Sequence, residues 1–243
     1  MAGQFNAGVA YRVGKSDTPN LLIAVTIRLK CRHMTQDITM KRQHFVSGLD
    51  QLIATVMQGR TCVQISRRLG AVLHDDKDFA ATGYLFWNAS GAALSAIAQL
   101  WAFKLFDEDK AALTIHRILK EAEGLKHQFP HRTSAQVEAM IKMAYAKMVS
   151  SAARRKRIRD KRNNLIAHLN RQVVTNPSDF GSGYIVRWSD LLAEFDLAAS
   201  ILDDLCLATC NVAPSYEVVG ADDMENVISL IGRCRVVPDK NAC

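Results

Sequence analysis

The chain has 243 residues, 49% of them hydrophobic and 23% charged, and its 31 Lys and Arg against 24 Asp and Glu give a formal net charge of +7. This composition is ordinary for one globular domain, or one domain with an extension, and excludes a disordered polar tail; 13 Gly and 5 Pro exclude collagen-like and low-complexity chains. The longest apolar run, Ala89 to Phe103, is interrupted by Ser90, Ser95 and Gln99. It falls short of the ~20 residues a membrane span needs, so no membrane partner is expected.

Residues 1–33 differ in character from the remainder of the chain. Leu21 to Leu29 is a short apolar, β-branched stretch between Pro19-Asn20 and the basic Arg28, Lys30 and Arg32. Two readings fit it: a short non-helical arm added to the core, or upstream sequence ahead of a natural start near Met34. Residues 1–20 are polar and mixed, with no secretory apolar core, so a cytoplasmic location is the default.

From Met34 to the end, residues 34–243, the pattern is helical nearly throughout. Phe45, Leu49, Leu52, Ile53 and Val56 form one stripe at spacings of three and four. Gly59 is expected to weaken or end that helix, with Cys62, Ile65, Leu69 and Val72 renewing the period. His74 to Asp78 reads as a polar connector. A helix over about 79–106 is apolar on most sides, which predicts the centre of a bundle. Asp107, Glu108 and Asp109 can cap the next helix, Lys110 to Glu123.

Phe129-Pro130 stops that run, and Thr133-Ser134-Ala135-Gln136 reads as a capping box opening a helix that continues to about Leu165. Residues 176–183, with Pro177, Gly181 and Gly183, form a loop. Trp188 or Ser189 begins a helix whose stripe is Leu192, Phe195, Ala199, Leu202 and Leu205, and a last short helix covers 224–231. Strand signals are confined to about 21–29, 184–187 and 216–219. The expected fold is an all-α bundle of five to six helices.

The six cysteines (Cys31, Cys62, Cys206, Cys210, Cys234, Cys243) include no CxxC pair. Cys206, Cys210, Cys234 and Cys243 match no common zinc spacing, and reduced thiols packed as small apolar groups are the expectation. His127 and His131 have no carboxylate cluster beside them, and His116 reads as a half-buried residue at the core edge. No metal, nucleotide loop or nucleophile elbow is signalled, so no cofactor is expected.

Between Arg154 and Arg162 seven of nine residues are basic: Arg154, Arg155, Lys156, Arg157, Arg159, Lys161 and Arg162, opposed only by Asp160. A solvated helix face is one reading. Like charges three and four apart repel, however, and a polyanion would relieve them, which makes the run a candidate RNA-phosphate surface.

The run leads into Arg162-Asn163-Asn164-Leu165-Ile166-Ala167-His168. This resembles the Arg-polar-x4-His motif of the HEPN superfamily, and its Ala-His ending is similar to a branch found in phage-defence abortive-infection systems. Upstream, Phe86-Trp87 and an aromatic helix ending Leu105-Phe106-Asp107 before another helix match the same branch. The resemblance covers about residues 40–210. It implies a HEPN-like bundle and a metal-independent endoribonuclease working as a homodimer, with RNA as substrate and an antitoxin or regulator as a further partner. It assigns the catalytic positions to Arg162, Asn163 and His168. Their chemistry fits: imidazole titrates near neutrality, a guanidinium grips phosphate bidentately, and an amide can orient either. In the nucleotidyltransferase-controlled group the motif often ends His-x-Tyr, whereas here it reads His168-Leu169-Asn170. On one straight helix Arg162 and His168 would stand about 120° and ~9 Å apart. Two copies across a two-fold axis are therefore needed to bring both to one phosphate.

Overall fold

The computed structural model describes residues 40–163, apart from 78, 80–82 and 110, together with 186–216 and positions 226 and 229. Among these the architecture is all-α, with six α-helices, one 3-10 turn and no strand. The proposed arm 1–33, the strand signals at 21–29 and most of the expected last helix lie outside the described residues.

Helix α1 spans Met40–Asp75, 36 residues, or about 54 Å at 1.5 Å per residue. It does not stop at Gly59, contrary to the expectation from its low helix propensity. Phe45, Leu49, Leu52, Ile53, Val56, Val63, Leu69 and Val72 keep one face buried along the whole length, and that burial outweighs the ~1 kcal/mol a helical glycine costs. The glycine serves a close approach instead. A Cβ at Gly59 would lie 2.2 Å from Cζ of Phe195 on the last helix.

Helix α2, Tyr84–Leu105, starts later than expected, after Gly83 at φ 151°. It runs back along α1, where Ser66 Oγ donates to the Gly91 carbonyl at 2.6 Å and Phe79 meets Trp87 at 5.3 Å. It is not the centre of the bundle. Leu85 is 82% and Phe86 64% exposed, and its buried residues are Ala98, Gln99, Ala102 and Leu105. Apolarity on all sides did not bring burial on all sides; its buried residues lie in its C-terminal half.

Helix α3, Ile115–Gly124, begins five residues beyond the expected Lys110, and its cap is Thr114, whose hydroxyl accepts from Arg117 N at 3.2 Å. The acidic Asp107–Asp109 segment precedes it as a turn, with Asp109 Oδ1 accepting from Ala111 N at 2.9 Å. A 3-10 turn, Lys126–Gln128, leads to Phe129, which packs edge-on to Phe45 at 5.6 Å.

Helix α4, Ser134–Ser150, opens with the expected capping box: Gln136 N donates to Thr133 Oγ1 at 3.3 Å, and Thr133 N to Gln136 Oε1 at 2.9 Å. It does not run on to Leu165. Ser150 Oγ donates to the Lys147 carbonyl at 2.7 Å and Ser151 Oγ to the Met148 carbonyl at 3.1 Å. Arg155 reaches back to that same Met148 carbonyl. These side-chain donors compete for the carbonyls of the last turn and interrupt the ladder at Ser151. A separate helix, α5, then spans Ala152–Lys161.

Helix α6, Trp188–Cys210, holds the central place and touches α1, α2, α3 and α4. Leu191, Phe195, Ala198, Ile201, Leu202, Leu205 and Ala208 are buried around it. It ends at Asn211 in the left-handed conformation (φ 55°), which asparagine tolerates well. No helix among the described residues is long and apolar enough to cross a membrane.

Candidate functional site

The basic run is α5 itself, and its one buried apolar side chain is Ile158. A helix so poor in apolar surface needs other contacts to hold it, and α6 supplies them as carboxylates. Glu194, fully buried, accepts from Arg154 Nε at 2.5 Å, and its second oxygen lies 4.0 Å from Arg155 Nε. One turn earlier on α6, Asp190 accepts from Arg157 Nη2 at 3.0 Å, while its other oxygen accepts from Arg187 N at 3.2 Å and so caps α6. These pairings make α5 and α6 antiparallel at their contact. Burial pushes the Glu194 carboxyl up from its ordinary value, and the Arg154 guanidinium pulls the other way.

A second face of α5 lies on the end of α2. Arg155 Cζ stands 5.1 Å from the centre of the Phe106 ring, and Arg162 Cζ stands 4.5 Å from that of Phe103. Each guanidinium thus lies over a phenyl ring within cation–π range. Arg162 Nη1 also donates to Asn163 Oδ1 at 2.7 Å, and Arg162 Nε is shielded from solvent without an acceptor. At Arg162 and Asn163 the helix widens into a π-type turn, a geometry often found at functional sites.

The remaining cations differ. Lys156 pairs with Asp160 at 2.5 Å across an exposed turn. Arg159 is exposed and Lys161 half-buried, and neither has an acidic partner among the described residues. Burial lowers the Lys161 ammonium's pKa from its ordinary value.

The structure therefore brings Arg162 and Asn163 together at the head of the motif. His168 lies outside the described residues, and with it the Arg162–His168 geometry. Sequence reasoning missed Glu194, Asp190, Phe103 and Phe106 as partners of the run. The signal for the acids was present: Glu194 sits between Leu191, Phe195 and Ala198 on the apolar stripe of α6, and a carboxylate buried there needs a cation opposite it.

His116 is half-buried, as its sequence setting suggested. It stands 6.2 Å from Tyr145, and its pKa is lowered mainly by burial and secondly by the Arg155 charge, with Glu108 opposing. His127 Nδ1 is 2.7 Å from Ser134 Oγ. Cys206 is a core residue, Cys210 Sγ lies 3.2 Å from its carbonyl, and burial raises the Cys62 thiol. No group of three or more His, Cys, Asp or Glu among the described residues could hold a metal ion.

No protein-family model, curated protein or solved structure matches the chain.

Proposed function

We propose that this protein is a metal-independent endoribonuclease of the HEPN type that cleaves single-stranded RNA and serves as a toxin or phage-defence effector. The reading includes a homodimer with a composite site, an antitoxin or regulator as further partner, and a cytoplasmic setting. The observation that carries it is the guanidinium of Arg162, placed over the Phe103 ring and tied to Asn163, at the head of the Arg-Asn-x4-His motif.

RNA supplies its own nucleophile, so the protein has only to move a proton and balance charge. An imidazole takes the proton of the 2′-hydroxyl, O2′ attacks phosphorus, and the bond to O5′ breaks as that oxygen gains a proton. The products are a 2′,3′-cyclic phosphate and a 5′-hydroxyl end. His168 is assigned the proton transfer. Arg162 takes the phosphate oxygens through the edge of a guanidinium whose face is already occupied by Phe103. Asn163 orients Arg162 through the bond it accepts.

A second reading, a module that binds RNA or a protein without cutting, draws on another observation. Arg154, Arg155 and Arg157 are engaged with Glu194 and Asp190, so part of the charge run serves the fold.

Incubation of purified protein with single-stranded RNA in EDTA separates the two. Cleavage is expected to yield 5′-hydroxyl ends and to fall by about 10²-fold or more in His168→Ala and Arg162→Ala, with unchanged helical circular dichroism. Undiminished cutting by both variants would remove the assignment, and binding without new ends would favour the module.

A further inference from the structure

Resting on the RNA reading proposed for this site, we infer that the fold divides the basic run into two sets: Arg154, Arg155 and Arg157 anchor α5, whereas Arg159, Lys161 and Arg162 form the patch that receives the phosphates of a single RNA strand. A phosphate approaching Arg154 would have to displace a carboxylate already 2.5 Å away and wholly removed from water. Such a partner is not exchanged cheaply, because the displaced charge would be left buried. Arg155 is in the same position, with Glu194 on one side, Phe106 beneath it and the Met148 carbonyl on its N–H edge. Arg157 meets Asp190, whose side chain is 17% exposed.

The far end of the helix has the opposite character. Arg159, Lys161 and Arg162 bring three positive charges into four residues, and the intervening Asp160 is turned to Lys156 at 2.5 Å. Among the described residues Lys161 is half-buried without an acid beside it, and Arg162 keeps a shielded Nε with no acceptor. Charge gathered without an acidic partner for Arg159 or Lys161 among the described residues is what an external anion relieves. The patch also begins the segment that leads to His168, so a strand held there lies at the motif. Arg159 and Arg162, three apart, lie on one side of α5, with the Arg162 guanidinium over the Phe103 ring, while Lys161 lies about 160° around the helix from Arg159.

The salt dependence of RNA binding tests this division. In the full-length protein carrying His168→Ala, so that the probe survives, a single-stranded RNA oligonucleotide is titrated at several salt concentrations. Arg159→Ala and Lys161→Ala should each reduce the slope of log affinity against log salt by about 0.7, the value for one single-strand phosphate contact, and together by about 1.4. Arg157→Ala should leave the slope unchanged while lowering the melting temperature. Equal loss of slope in Arg157→Ala and Arg159→Ala, or none in the Arg159→Ala/Lys161→Ala double variant, would overturn the division while leaving RNA as the ligand. A parent that binds no RNA even at low salt would remove both the division and the RNA reading.

Discussion

Helices α3 and α5 are each ten residues long, yet they are held in place by different forces. In α3, Ile115, Ile118, Leu119 and Ala122 are buried and Thr114 caps the first turn. In α5 only Ile158 is buried, no side chain caps the N-terminus, and the contacts to α6 are ion pairs. Apolar burial is not weakened by charge screening and is nearly indifferent to pH, whereas ion pairs respond to both. The bundle thus seats its most charged helix, the one that carries the candidate site, by interactions an anionic ligand or a change of solution can perturb.

The largest effect should come from α3. Ile118→Ala removes a fully buried side chain and should cost about 3–4 kcal/mol in denaturant unfolding, equally at low and high salt. A loss that shrinks with salt would blur the distinction between the helices.

Glu194→Ala strikes α5 in the corresponding way. It leaves Arg154 and Arg155 without their carboxylate, and because both arginines retain some solvent contact the cost should sit near the low end of the range for a broken buried pair, about 3 kcal/mol. Amide exchange should accelerate across Ala152–Lys161 while that of Ile115–Gly124 holds. Uniform acceleration in both helices would mean that α5 is no separate unit.

The smallest effect is electrostatic and sits between the two. The lowered pKa of His116 means that the unfolded chain takes up its proton first as pH falls through the ordinary histidine value of ~6.5. Its contribution to stability is present above that value and lost below it. The half-exposed ring limits the effect to a fraction of a kcal/mol. His116→Gln should therefore flatten the decline in unfolding midpoint between about pH 7 and pH 5. An unchanged slope would place the acid sensitivity in other groups; Glu194, whose pKa is raised on folding, would act in the opposite sense.

Much of the fold was legible in the chain. The capping box at Thr133 and Gln136, the stripe of α6 and the stop at Phe129-Pro130 depend on residues within a turn or two of each other, and local rules found them. The position of α2 was not legible. Its composition is that of a core helix, but which helix becomes central depends on what the others leave uncovered. Gly59 misled for a related reason, since a glycine read alone signals weakness and only Phe195, 136 residues away in the chain, shows its purpose. At the site, the density of charge and the Arg162-Asn163 head of the motif could be read directly, but not which arginines face inward.

Sequence alone determined that this protein is helical, where α4 and α6 begin, and that one short segment carries most of its excess charge, because periodicity, capping and charge density are properties of neighbouring residues. Tertiary structure decided which cations that segment keeps for the fold. Glu194 and Asp190 lie on a helix distant in the chain, and a buried carboxylate claims the guanidinium packed against it, wherever in the sequence that guanidinium arises.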